Sequence, residues 1–180
     1  MFRYLLLSCA FGCASASLYA TVVVPTDLGE LSGDALVIAR GRVVALDARW
    51  SGDRRRVETL VTLEAERYLK GAFGPVLQFR VPGGRIGRYR SVLVGAPEFL
   101  VGQRVVVFLG ARGPAVPYVL GLGQGVFRVV PGAGGWVVTP PVILPASGGP
   151  ARIVRGDPAR RPMPLADFES RVRALAGVGR

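Results

Sequence analysis

The stretch VETLVTLEAERYLKG, residues 57–71, constrains the fold more than any other part of the chain. Val57, Thr59, Val61, Leu63 and Ala65 share one face of an extended strand, while Glu58, Thr62, Glu64, Glu66 and Tyr68 share the other. A helix would scatter the same residues around its circumference. The segment predicts a strand with one buried face, ended by Lys70-Gly71, and a strand of this length needs a sheet around it.

Its neighbours supply that sheet. From Asp34, DALVIARGRVVALDARW is dense in β-branched residues and reads as one long strand, with Gly41 marking a bulge or bend that lets it serve two parts of a curling sheet. SGDRR makes the turn into residues 57–71. GPVLQFRV then gives a third strand, with Leu77, Phe79 and Val81 inward and Gln78 and Arg80 outward. Pro82-Gly83-Gly84 stops it. After a loop, SVLV predicts a short strand, GAPEFLVGQ a turn, and RVVVFLG a continuous apolar strand covered on both sides. Residues 117–122, 126–130 and 135–139 complete the β-rich region.

The texture then changes. Residues 140–164 hold seven of the 14 prolines, which disfavours helix and ladder alike, so 140–163 reads as an irregular Pro/Gly-rich strap. Residues 164–177 predict a short helix, with Leu165, Phe168, Val172 and Leu175 on one stripe, Pro164 near the start and Gly177 just past the end. A helix this short is marginal alone, so it docks on the barrel or on a partner.

The N-terminus, MFRYLLLSCAFGCASASLYA, has a basic start, a short apolar run and small residues, the order of a secretory signal over residues 1–20. Cleavage after Ala16 or Ala20 leaves a barrel domain over 21–139, with lipid attachment at Cys13 as the competing outcome. No other apolar run reaches the length of a membrane span, so the processed chain carries no transmembrane segment. The expected location is periplasmic or extracellular. A length of 180 residues suits one domain.

The absence of histidine, and of any cysteine beyond Cys9 and Cys13, removes the imidazole, thiol and His/Cys metal chemistry on which most hydrolases depend. The expectation is a protein that is not an enzyme and holds no cofactor or metal. Net charge is +11, and of the 23 basic residues only Lys70 is lysine. Such a surface attracts acidic polymers or proteins, while export argues against nucleic acid. VPGGRIGRYR, residues 81–90, raises the question of a phosphate cradle. It lacks the Gly-Lys-Ser/Thr ending of a P-loop, the spacing of a dinucleotide fingerprint and the helices that flank a KH clamp. Its glycines read as backbone requirements of a loop. Arg85, Arg88, Tyr89 and Arg90 nevertheless form a candidate binding surface with Arg54, Arg55 and Arg56, provided that the two loops share one end of the barrel.

Asp34, Val37, Gly41, Val43, Tyr68, Leu69, Lys70 and Gly71 make the opening strands resemble the netrin/tissue-inhibitor-of-metalloproteinases class of OB-like domains, and GAPEFLVGQRVVVFL resembles a phrase from exported bacterial proteins of the same build. The likeness covers residues 32–130. It implies a mainly β, five-stranded, curled Greek-key barrel. The inhibitors also use an N-terminal cysteine, where the two mature starts here are Ser17 and Thr21, so no inhibitory residue carries over. The leading expectation is a non-catalytic binding or scaffold module for an envelope or secreted protein or an acidic polymer. A secreted protease inhibitor or protease-associated protein is the alternative.

Overall fold

The computed structural model describes residues 26–113, 116–141 and 161–177. The leader with its cleavage points and Cys13, and most of the strap, lie outside the described residues. Ten strands, β1 (Val37–Trp50), β2 (Val57–Lys70), β3 (Val76–Pro82), β4 (Gly84–Ile86), β5 (Tyr89–Ser91), β6 (Arg104–Gly110), β7 (Tyr118–Val119), β8 (Val126–Gly132), β9 (Gly135–Thr139) and β10 (Met163–Pro164), are joined by helices α1 (Leu28–Asp34) and α2 (Leu165–Leu175) and a 3-10 turn at Leu122–Gly125.

The chain is mainly β, and its sheet curls shut into an OB-like Greek-key barrel. β1, β2 and β3 form an antiparallel meander, β3 meets β7 in parallel at Arg80↔Tyr118, β7 pairs with β6, and β6 returns to β1. The ring therefore has five strands and places β6 beside β1, the Greek-key order. β8, β9 and β10 extend the sheet outward from β6.

Two apolar clusters explain the composition of these strands. Inside the barrel lie Val37, Ala39, Val43, Val61, Leu63, Leu77, Phe79, Val81, Val105, Val107 and Leu109. Outside it, Ile38, Val106, Phe108, Phe127, Val129 and Val138 pack against Leu28 and Leu31 of α1 and Phe168 and Val172 of α2. β6 contributes to both, which is why RVVVFLG does not alternate. Phe127 bridges strand and helix, with ring centroids 5.4 Å from Phe108 and 4.9 Å from Phe168.

The bend at Gly41 is present. Only residues 37–42 of β1 pair with β6, whereas its pairing with β2 runs to Trp50. A Cβ at Gly41 would lie 2.2 Å from the Glu64 carbonyl oxygen, so the strands cross too closely there for any side chain. The register skips Glu66 on β2 between Arg67↔Arg40 and Ala65↔Gly41, and one skipped residue exchanges the faces. Tyr68, expected outward, consequently packs against the interior cluster, and the next residue, Leu69, joins the outer one.

Further expectations are corrected. The first strand starts at Val37 rather than Asp34, because α1 occupies Leu28–Asp34. That helix is held by a reciprocal capping box between Asp27 and Glu30, and Lys70 Nζ donates to its terminal carbonyls at Ser32 and Gly33. SVLV is no strand beyond Ser91; residues 84–91 instead form the hairpin β4–β5. Of 117–122 only Tyr118 and Val119 pair, since the chain needs just one short crossing to close the barrel before turning into β8. The end of the strap is regular, Met163 and Pro164 pairing with Val138 and Val137. Leu175 is exposed, because α2 turns its apolar side through Phe168, Val172 and Ala176 instead.

Candidate functional site: an apolar cleft with an arginine mouth

β1 and β2 outrun the barrel. Beyond the contact with β6 they continue as a ribbon, with β3 beside β2 as far as Glu58↔Pro82, ending in the turn at residues 51–56. The register skips Val44, after which Leu46 lies opposite Val61, Ala48 opposite Thr59, and Trp50 opposite Val57. Val61 is an interior residue, so Leu46, Ala48 and Trp50 continue the interior row past the point where the barrel closes over it. The row is then only partly covered.

The hairpin β4–β5 lies across this ribbon as an arm. Gly84 sits with φ +146 against it, and a Cβ there would meet Thr59 Oγ1 at 2.5 Å and Ala48 Cβ at 3.2 Å. Thr59 Oγ1 also donates to the Gly83 carbonyl at 2.8 Å. Gly83 and Gly84 therefore serve close backbone approach, and Gly87, with φ +56 and open space around it, serves the turn between β4 and β5. On the same, ribbon-facing side of the arm as Gly84, Tyr89 packs on Trp50, with centroids 5.4 Å apart and planes at 57°.

Between ribbon, arm and the loop that follows lies a cleft of about 570 Å³, floored by Leu46, Ala48, Thr59 and Val81 and walled by residues 82–85 and 90–100. Its rim is apolar where a loop would normally be polar: Val92 is 66%, Val94 73% and Leu100 71% exposed, with Leu93 also exposed. Phe99 anchors the wall by an edge contact with Phe79 at 5.5 Å.

The seven predicted residues gather at this end of the molecule. Arg54, Arg55 and Arg56 occupy the ribbon turn next to Trp50, Arg85 lies on β4, Arg88 in the following turn, and Tyr89 and Arg90 on β5. Arg85 and Arg90 line the cleft directly. Arg90 is paired with Glu98 at 3.5 Å, and Arg85 Nε donates to the Gly87 carbonyl at 3.1 Å. The ribbon turn is rigidified by Asp53, whose carboxylate accepts from the Ser51 hydroxyl and the Arg55 amide. Those bonds, the Ser51 hydroxyl first, hold Asp53 below its ordinary pKa. Arg54 is a non-glycine residue with φ +54. Among the described residues the guanidinium groups of Arg54, Arg55, Arg56 and Arg88 form no ion pair within the molecule.

Asp53 sets one carboxylate against the three arginines of its turn, and Arg56 acts on it electrostatically, while the glutamates of β2 are engaged elsewhere. Glu64 meets Arg42 at 2.7 Å, Glu58 meets Arg49 at 3.3 Å and Arg80 at 3.7 Å, and Glu66 meets Arg40 at 3.2 Å and Arg104 at 2.9 Å. Positive charge is thus left over at the cleft mouth. No protein-family model matches the chain, and no curated protein or solved structure matches it.

Sequence reasoning found the arginines and missed the cleft. SVLV and FLV were a signal: two apolar triplets in a Gly/Pro-punctuated stretch with no strand partner to bury them. Among the described residues no group of three or more His, Cys, Asp or Glu converges as metal ligands would, and no helix is long and apolar enough to cross a membrane. What the arrangement offers chemically is an apolar trough beside unneutralised cations.

Proposed function

We propose that this chain is an exported, non-catalytic binding module of the netrin-like, OB-barrel kind, and that it binds through the cleft between ribbon and arm. The carrying observation is the uncovered continuation of the core: Leu46 and Ala48 prolong the interior row, and Val92, Leu93, Val94 and Leu100 stand exposed opposite them. Apolar surface left exposed in a concave place is the usual mark of a recognition site. The signal-like N-terminus supports export, and the lack of histidine supports binding over catalysis. The excess of arginine at the mouth selects ligands that pair apolar groups with negative charge.

A photo-crosslinking side chain placed at Leu93 in the secreting cell tests this. A discrete adduct should form outside the cytoplasm and disappear when Leu46→Glu is added. An adduct pattern indifferent to Leu46→Glu, or no adduct in any fraction, removes the cleft as the binding site.

A further inference from the structure

The cleft has a second property that its side chains do not reveal. β1 pairs with β2 along its whole length, but on its other side the ladder to β6 ends at Arg42↔Arg104. One further exchange follows, Val43 N–H to the Gln103 carbonyl and Gly102 N–H to the Val43 carbonyl. Beyond it, residues 45–50 have no strand on that side among the described residues. The backbone donors and acceptors of alternate residues among 45–50 therefore face outward, along the edge of β1 that borders the cleft floor. Folded proteins normally shield such an edge with a bulge, a charge or a covering segment. Here the bulge at Val44 separates the free edge from the paired one, and Leu46, Ala48 and Trp50 stand on the same row of it as the cleft floor.

We infer that the occupant of the cleft is an extended segment of a partner protein, which adds as a strand to residues 45–50 of β1, seats alternate apolar side chains against Leu46 and Ala48, and presents carboxylates to Arg54, Arg55 and Arg56. Each part answers a separate observation. The free edge supplies main-chain affinity, and the trough accepts every second side chain, the two components of recognition by strand addition. Six residues of edge at about 3.4 Å each give a recognition length near 20 Å. The charge requirement comes from the turn: a strand running along the edge past Trp50 reaches residues 51–56, where three arginines form no ion pair among the described residues and face the single carboxylate of Asp53. An acidic end on the incoming segment meets them, and a basic one is repelled.

This inference rests on the cleft being the binding site and adds how it binds. The test starts from a randomised display library of short segments, selected on the intact protein. Enriched sequences should alternate apolar and polar residues and carry Asp or Glu at one end. The most enriched peptide is then synthesised with N-methyl groups at every second backbone nitrogen, in both phases. One phase should weaken binding roughly tenfold or more, since each methyl removes a ladder donor, and the other should bind nearly as before. Amide exchange of residues 45–50 should slow in the complex, and Arg54→Ser with Arg55→Ser and Arg56→Ser should weaken binding and flatten its salt dependence.

Equal tolerance of both methylation phases, with unchanged exchange at 45–50, overturns strand addition while leaving the cleft in place if Leu46→Glu still abolishes binding. Selected peptides indifferent to Leu46→Glu overturn the cleft itself. Failure to select any peptide, together with sedimentation on phosphatidylglycerol vesicles that Leu93→Asp abolishes, replaces the peptide by a lipid surface.

Discussion

At the scale of single residues, two side-chain decisions carry much of the structure. Gly41 is fixed by space: the Glu64 carbonyl and the Leu63 side chain occupy the place a Cβ would need, at 2.2 and 2.9 Å. Gly41→Ala is expected to lower stability by about 2 kcal/mol or more, because backbone and not a movable side chain must yield. Urea unfolding should show a lower midpoint with an unchanged slope. Asp53 acts on the turn. Its folded pKa lies below the ordinary value because the ionised carboxylate accepts two hydrogen bonds, so its contribution is complete above the ordinary aspartate range and fades as pH falls through the depressed value. Amide exchange at Arg55, corrected for intrinsic rates, should show protection lost below that range, and Asp53→Asn should remove the pH step. Gly41 was legible in the sequence as a strand glycine. Asp53 was not, since SGDRR shows a turn without showing which oxygen holds it.

At the scale of elements, α2 is the piece whose attachment depends most on charge. Glu169 is 3% exposed and meets Arg40 of β1 at 2.5 Å, Arg67 of β2 at 3.2 Å and Arg173 of its own helix at 3.4 Å. Phe168 and Val172 on either side are buried. Removing the carboxylate leaves Arg40 without its shortest partner in a half-buried place, and Glu169→Ala should cost about 3 kcal/mol, the low end for a broken buried pair because the arginines retain some water. Glu169→Gln, which keeps the shape, should recover only part of this. Thermal melts of both variants would check it, and equal stability of wild type and Glu169→Ala would show that apolar contacts alone dock the helix. The apolar stripe of α2 was readable from spacing, but its position against β8 and β9, and Glu169 on the buried side, depended on strands distant in sequence. α1 had a visible signature in Asp27 and Glu30, three residues apart as a capping box requires. Two glycines among its seven residues hide it from propensity. The arm β4–β5 was hidden for a related reason: strands of three residues are too short to display a period.

At the scale of the whole molecule, the two clusters meet only through the strands that face both, and β6 does so along most of its length. A mainly β sheet with a buried face was legible in the alternation of β2 and the double-sided run of β6, and the five-stranded ring was implied only by the resemblance of the opening strands to OB-like domains; the ribbon beyond the ring was in neither, because periodicity shows which face is apolar and not where its cover stops. The same asymmetry sets the order of local stability. β6 loses its hydrogen bonds only when barrel and helices separate together, so amides of Val105, Val106, Val107 and Phe108 should exchange at the rate of global unfolding. Residues 84–91 rest on one face of the far end of β1 and β2, and the turn at 51–56 closes that end past the last β2–β3 pair at Glu58↔Pro82, so both should open locally with far smaller free energy. Native-state hydrogen exchange at increasing urea would separate these classes: exchange at β6 should follow the full unfolding slope, and exchange at β4–β5 should be nearly independent of denaturant. If β4–β5 amides merged with β6 well below the unfolding midpoint, the arm would be part of the cooperative core and the cleft beneath it a rigid feature. If they stay separate, the arm can shift on the ribbon without cost to the barrel, and a segment entering beneath it need displace only local contacts such as Thr59 to Gly83.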